Sequence, residues 1–160
     1  MAFAVVSALI VATPAQARDS LGMFSGWGAF RDSQVPRCYA IAKAEPSTLS
    51  REYPPYVSIG TWPRQATRGQ IHFRLSRALA PNSRVTLSIG SERFLLIGGG
   101  GDAWAFDRRM DAAIVAAMRS AEWMTVSARD ARGRGFSNSY RLAGAATAMD
   151  AAAIGCARLR

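Results

Sequence analysis

Apolar and polar residues alternate with a period of two along the middle of the chain, which is the pattern of a strand with one buried face. Residues 70–76 place Ile71, Phe73 and Leu75 on one face, and residues 84–90 repeat the pattern. Turn-forming residues between the two segments predict a hairpin. The apolar segment 93–97 predicts a central strand covered on both faces. Further strands are expected at residues 24–31, 37–43, 56–62, 124–129 and 136–142, which makes about eight.

Two segments late in the chain have the helical period instead. Between Met110 and Ala121 the apolar residues recur three and four positions apart, and Asp107 is the expected N-cap. A second short helix is expected at residues 145–153, with Cys156 on its inner side. The sequence therefore predicts a mainly β fold, an antiparallel β-sandwich-like domain of about eight strands with two short helices late in the chain.

The first 17 residues have the features of an export signal. Residues 1–12 are apolar or small, Pro14 follows, and residues 15–17 form a small-x-small cleavage site before Arg18. The apolar segment is too short for a membrane-spanning helix, which needs about 20 residues. We therefore expect a cleaved signal peptide at 1–17 and a single β-rich domain at 18–160 with no transmembrane segment. Its expected location is periplasmic, envelope-associated or secreted.

Cys38 and Cys156 are the two cysteines, and they lie near opposite ends of the expected mature chain. In an oxidising compartment such a pair is most simply one disulfide. This bond would tie the C-terminal segment to an early strand. Two buried free thiols that never meet are the alternative.

The formal net charge of +9 comes almost entirely from 19 arginines. An exported basic protein meets lipopolysaccharide, acidic lipid, acidic polysaccharide or another envelope protein, and no nucleic acid partner is expected. Guanidinium groups bind carboxylates and phosphates in bidentate fashion, so clustered arginines are candidate anion contacts. The clusters are Arg108 and Arg109 at a helix start, and Arg129, Arg132 and Arg134 on a predicted hairpin turn. A solvated basic surface without a partner is the alternative.

Few residues suit familiar catalytic chemistry. His72 is the only histidine, and its strand position predicts an exposed side chain, so no catalytic residue, metal site or cofactor is expected. A cell-envelope hydrolase that uses carboxylates near Asp102 is the alternative function. Of the other carboxylates in this region, which include Glu122, Asp107 is better explained as a helix cap and Asp111 is expected to face solvent.

Residues 98–101 are four consecutive glycines, but no lysine follows them as a phosphate-binding loop requires. The segment is expected to be either a flexible turn leading to the first helix or a mobile loop beside Trp104 that closes over a ligand. The four tryptophans are expected in the core or at its rim rather than on a stacking surface: Trp27, Trp62, Trp104 and Trp123.

Several short motifs follow one another in a characteristic order over residues 24–157. They are Gly26-Trp27, Cys38-Tyr39-Ala40-Ile41, Met118-Arg119-Ser120, Met124-Thr125-Val126 and Tyr140-Arg141-Leu142-Ala143-Gly144-Ala145. In this layout the chain resembles the invasion-associated locus B family of exported alphaproteobacterial proteins. The resemblance implies a periplasmic or envelope-associated β-sandwich-like domain, with an association with host-cell invasion in the family's named member and no catalytic residues to transfer. We therefore expect a non-enzymatic binding or interaction module with a basic surface.

Overall fold

A computed structural model describes residues 18–32 and 34–157, so the expected signal peptide lies outside the described residues. The fold is mainly antiparallel β, with 47% of the described residues in strands and 19% in helices. The strands are β1 (Asp19–Phe24), β2 (Trp27–Asp32), β3 (Arg37–Lys43), β4 (Tyr56–Trp62), β5 (Thr67–Arg74), β6 (Val85–Ile89), β7 (Glu92–Gly99), β8 (Asp102–Trp104), β9 (Trp123–Arg129) and β10 (Gly135–Arg141). The helices are α1 (Arg108–Met118) and α2 (Ala145–Ala157), and a 3-10 turn spans Pro63–Gln65.

The ten strands form one sheet in the order β1-β2-β3-β4-β5-β8-β7-β6-β9-β10. The sheet folds back on itself, because β10 at one end contacts strands near the other end. The rings of Phe73 on β5 and Tyr140 on β10 are 5.8 Å apart, and the Trp27 indole on β2 donates to the carbonyl of Arg141 at 2.9 Å. The two parts of the sheet thus enclose one core, which confirms the β-sandwich-like fold expected from the sequence.

The two helices pack on different parts of the sheet. Helix α2 packs on β1, β2, β3 and β4, whereas α1 packs on β5, β6 and β7. Asp107 caps α1 by accepting a hydrogen bond from the Met110 amide at 2.8 Å, as the sequence predicts. The disulfide between Cys38 on β3 and Cys156 on α2 is present and confirms the expected pairing.

The predicted hairpin between residues 70–76 and 84–90 is wrong. Strand β5 pairs with β4 and β8, whereas β6 pairs with β7 and β9. The linking segment crosses from one part of the sheet to the other, with Leu79 bridged to Asp130 and its amide bonded to the Gly100 carbonyl. The turn residues at 81–82 are present, but the backbone partners of this segment are distant in sequence, so local turn chemistry does not decide which strands pair.

Three other strand predictions need correction. The strand expected at 24–31 is a hairpin of β1 and β2, because Ser25 adopts a positive φ of 53° and reverses the chain. The segment 93–97 lies in β7 but is not covered on both faces, since Leu95 and Ile97 point to solvent. The short strand β8 follows the glycine segment, where the sequence predicted only a loop.

Candidate functional site

A groove of about 520 Å³ lies on the outer face of β3, β4, β5 and β8, the face turned away from the core. On this face β4 presents two small residues, Ser58 and Gly60. Larger side chains surround these positions. We call this site the outer groove, and its lining residues are Arg18, Arg37, Tyr39, Ile41, Tyr56, Ser58, Gly60, Trp62, Gln70, His72 and Trp104.

Strand register brings these residues together from distant parts of the sequence. Ile41, Ser58, His72 and Trp104 are cross-strand neighbours and form one row across four strands. Three inter-strand spacings of about 4.8 Å give this row a length of about 14 Å. The outer groove is therefore long enough for an extended ligand rather than a single small ion.

The indole of Trp62 occupies space that only a glycine at position 60 leaves open. A Cβ atom at Gly60 would overlap the Trp62 ring, so the ring lies directly over the backbone of β4. Gly60 is buried under it. An alanine at position 60 would therefore displace the aromatic ring without removing it.

His72 lies between two aromatic rings and is held by a carboxylate. The Tyr56 ring lies edge-on with centroids 5.8 Å apart, and the Trp104 ring lies 5.4 Å away on the other side. His72 Nε2 is 2.9 Å from Asp102 Oδ1, while Arg74 donates to Asp102 Oδ2 at 2.7 Å. His72 lies on the outward face as its strand position predicts, but it is half-buried rather than exposed because β8 places Asp102 and Trp104 beside it.

The same contacts determine what Asp102 is able to do. Each of its oxygens has a partner, and Arg74 itself packs on the Tyr53 ring with its guanidinium carbon 4.1 Å from the centroid. Among the described residues, no hydroxyl hydrogen bonds to His72, so Ser58 opposite it does not complete a Ser-His-Asp arrangement. Asp102 therefore orients the histidine and tryptophan side of the outer groove.

Arg37 is a cation of the outer groove with unused hydrogen-bonding capacity. Its closest carboxylate oxygen, on Asp32, is 3.7 Å away, and its guanidinium carbon is 4.9 Å from the centroid of the Tyr39 ring. Its Nε is buried and has no hydrogen-bond partner in the part of the chain that the structure describes. The Arg37 side chain as a whole is 32% exposed, so an anion in the groove would contact its exposed part rather than the buried Nε.

The arginines expected to contact anions lie elsewhere. In the β9–β10 turn, the carboxylate of Asp130 is buried and accepts hydrogen bonds from the side chains of Arg77 and Arg134 and from the backbone of Arg132. Burial alone would raise the pKa of Asp130, but these hydrogen bonds hold the pKa well below its ordinary value. Arg129 donates to a carbonyl of the same turn at 2.8 Å. Much of this turn is thus built around Asp130, and its role toward external anions stays a prediction.

Arg108 and Arg109 occupy the first turn of α1, and both are exposed. They are therefore separate from the arginines of the β9–β10 turn, and the helix that carries them packs on β5, β6 and β7. Cations at a helix N-terminus oppose the helix dipole. Their placement is therefore not explained by the stability of α1, and contact with an anion stays a prediction for them.

Asp111 is buried, which contradicts the expectation that it faces solvent. Helix α1 turns this residue toward β5, where its Oδ1 accepts a hydrogen bond from the Ile71 amide at 2.9 Å. Burial raises the pKa of Asp111 above its ordinary value, although the hydrogen bond from Ile71 acts in the opposite direction. With Asp107 capping α1 and Asp102 bonded to His72 and Arg74, each of these three carboxylates has its own structural contact.

The glycine segment is the turn of the β7–β8 hairpin rather than a loop leading directly to α1. The carbonyls of Gly100 and Gly101 accept hydrogen bonds from Leu79 and Leu75 at 2.6 and 2.8 Å. A Cβ at Gly98 would approach the Leu79 and Val85 side chains to 2.6 and 2.7 Å. Close packing therefore explains why residue 98 is a glycine. The hydrogen bonds fix the path of the turn that places Trp104 in the outer groove.

The tryptophans divide between core and surface. Trp27 is fully buried, as expected, and Trp123 is half-exposed beneath the Arg141 guanidinium. Trp62 and Trp104 instead line the outer groove. Sequence reasoning missed this groove because its members are outward-facing residues of four strands. The signal that was available is the shared parity of Tyr56, Ser58, Gly60 and Trp62 along one strand.

The fold and the groove together define a disulfide-closed, β-sandwich-like domain with a groove lined by aromatic residues and arginines on its outer face. The chain matches no protein-family model, and searches of the curated proteins and of the solved structures gave no significant match. None of the helices in the described residues is both long and apolar enough to span a membrane.

Proposed function

We propose that this protein is a non-enzymatic binding module of the bacterial cell envelope that holds an acidic polysaccharide in the outer groove. Export and membership of the invasion-associated locus B family are parts of this proposal, and they rest on the signal-like residues 1–17 and on the motifs in residues 24–157. The disulfide supports export, because such bonds persist in oxidising compartments.

Arg37 is the observation that carries the proposed ligand class. Arg37 lines the outer groove with a side chain that is 32% exposed, and its closest carboxylate oxygen among the described residues, on Asp32, is 3.7 Å away. Guanidinium groups bind carboxylates in bidentate geometry, and such bonds are stronger than those between neutral groups. Arg18 lines the same groove, so the site has positive charge for more than one carboxylate.

The aromatic residues favour a sugar over a simple acid. The apolar C–H faces of a pyranose ring pack on aromatic rings, while its hydroxyls bind polar side chains. The outer groove offers Trp62 and Trp104 as rings, with Ser58 and Gln70 between them. Pockets of this kind, mainly apolar with a few placed polar groups, are typical binding sites.

Hydrolysis of the bound chain has less support. Glycosidases use two carboxylates on either side of the bond to be cleaved. Here Asp102 is paired through both oxygens with His72 and Arg74, while Asp107 caps α1 and Asp111 accepts a hydrogen bond from the Ile71 amide. The structure therefore favours binding, and an assay for chain shortening keeps the two functions distinct.

The proposal is tested by calorimetric titration of the periplasmic protein with oligogalacturonate, and with an uncharged galactose oligomer for comparison. The intact mass of the same preparation reports cleavage before Arg18. Arg37→Gln should weaken oligogalacturonate binding at least about tenfold, because hydrogen bonds to charged groups contribute about 1.5–3 kcal/mol. Arg84→Gln, at an exposed arginine outside the groove, is the matched control.

A second pair of variants tests the aromatic part of the site. Gly60→Ala should displace the Trp62 ring and weaken binding about three- to tenfold, in the range of a lost aromatic contact. Gly26→Ala is the control, because a Cβ at that position meets no atom within 4 Å. Absence of oligogalacturonate binding, or equal affinities for Arg37→Gln and Arg84→Gln, would refute the proposed ligand. Shortening of the oligomer by the wild type but not by Asp102→Asn would replace binding with hydrolysis.

A further inference from the structure

Four large apolar side chains are exposed on and beside the outer face of the β7–β8 hairpin. The exposed fraction is 71% for Phe106, 54% for Leu95, 48% for Ile97 and 37% for Trp104. Scattered apolar residues on a surface need no explanation, but a contiguous group of this size marks an interaction surface. We call these four residues the hairpin patch.

Strand register places three members of the hairpin patch, Leu95, Ile97 and Trp104, beside one another on the outer face. Ile97 and Trp104 are cross-strand partners, so their side chains are neighbours on the outer face. Leu95 lies two positions before Ile97 on the same face of β7. Phe106 lies two positions after Trp104, immediately before the N-cap of α1. The patch therefore continues from the edge of the outer groove toward the start of that helix.

Three exposed arginines border the hairpin patch. Arg93 shares the outward face of β7 with Leu95, and Arg108 and Arg109 follow Phe106 in the first turn of α1. The guanidinium groups of Arg108 and Arg109 have no side-chain hydrogen bond in the described part of the chain, and they oppose the helix dipole. A nearby anionic surface would offset that repulsion.

We infer that the hairpin patch docks on the surface of an anionic lipid bilayer. Large apolar and aromatic side chains beside arginines are the chemistry of peripheral membrane binding, in which the apolar groups enter the headgroup boundary and the cations contact acidic lipids. The charge is complementary, because Arg93, Arg108 and Arg109 lie beside the patch in a chain with a net charge of +9. This surface is separate from the polysaccharide contact at Arg37, and only Trp104 borders both.

Vesicle co-sedimentation tests the inference with the purified mature protein. Vesicles of phosphatidylglycerol with phosphatidylethanolamine should bind it, and vesicles of phosphatidylcholine should bind at least about tenfold more weakly. The double variant Leu95→Ser/Phe106→Ser should lose at least about tenfold in affinity, because the burial of each apolar side chain is removed. Ile154→Ser is the matched control, since Ile154 is 69% exposed on α2 and lies outside the patch.

The arginines are tested separately with the variant Arg108→Gln/Arg109→Gln. Each lost arginine should weaken binding to the anionic vesicles about fivefold and reduce its dependence on salt. Arg64→Gln/Arg84→Gln is the control, because both positions are exposed and lie outside the patch.

Three results would overturn the inference. One is equal binding of the patch and control variants, and another is equal affinity for anionic and neutral vesicles. The third is a dimer mass in solution that Leu95→Ser/Phe106→Ser converts to a monomer, which would make a second copy of the chain the occupant. Oligogalacturonate binding should persist in both patch variants, so failure of the membrane inference is distinct from failure of the polysaccharide proposal.

Discussion

Reduction of the Cys38–Cys156 disulfide is expected to remove a large share of the stability of this protein. The bond joins β3 to α2 across a sequence separation of 118 residues. It therefore restricts the unfolded chain far more than a short loop would. The native state should keep its strand pairing after reduction, because β3 is paired on both sides, with β2 and with β4.

The magnitude follows from the loop length. In the chain-entropy relation, closing a loop of 118 residues removes about 16 cal/mol/K from the unfolded state, or about 4.9 kcal/mol at 25 °C. The total stability of a domain this size is about 5–15 kcal/mol. With a urea m-value of about 2 kcal/mol/M, the unfolding midpoint should fall by about 2.4 M on reduction.

Urea unfolding followed by circular dichroism, with and without dithiothreitol, measures this change on chemically matched protein. Cys156→Ser provides the control, since reductant should leave its midpoint unchanged. A shift of the wild-type urea midpoint below about 0.5 M would show that the long loop does not reduce the conformational entropy of the unfolded chain by this amount. A much smaller m-value on reduction would show instead that the native sheet does not survive loss of the disulfide.

Two buried carboxylates give opposite expectations for the dependence of stability on pH. Burial raises the pKa of Asp111, so the stabilisation that comes from its protonated form is complete below the ordinary pKa of 3.8 and is lost as pH rises. Asp111→Asn should therefore raise the urea midpoint at pH 7 and give no gain below pH 3.8. The pKa of Asp130 is lowered, so its stabilisation is present above 3.8 and is lost as pH falls. Asp130→Asn should lower the urea midpoint at pH 7 much more than Asp150→Asn, which alters an exposed ion pair, and the difference should shrink in acid. Equal effects of the two variants at pH 7 would contradict the stabilising role of the buried Asp130 carboxylate.

Local patterns in the sequence were sufficient to locate most of the elements. The segments 37–43 and 56–62 are β3 and β4 as expected, and α1 begins after its predicted cap, Asp107. These features depend on neighbouring residues, because alternation reports strand parity and a capping side chain acts within one turn. The mainly β class follows from them, and the cysteine pair indicated the cross-link.

The pairing of strands could not be derived in the same way. Alternation shows which residues share a face, but it does not identify the partner strand. The expected β5–β6 hairpin failed for this reason, since β8 pairs with β5 instead. Strand β8 itself has three residues, too few for a periodic pattern to be recognised.

The amino-acid sequence by itself determined the strand-rich class, the position of most elements, the helix cap and the cysteine pair, because these depend on short-range periodicity and on composition. The tertiary structure alone decided that Gly60, Trp62, His72 and Trp104 meet in one groove and that Asp111 is buried against β5. The physical reason is that register between strands distant in sequence is set by the packing of the whole sheet. An outward-facing ring therefore becomes part of a binding surface only when neighbouring strands supply the residues beside it.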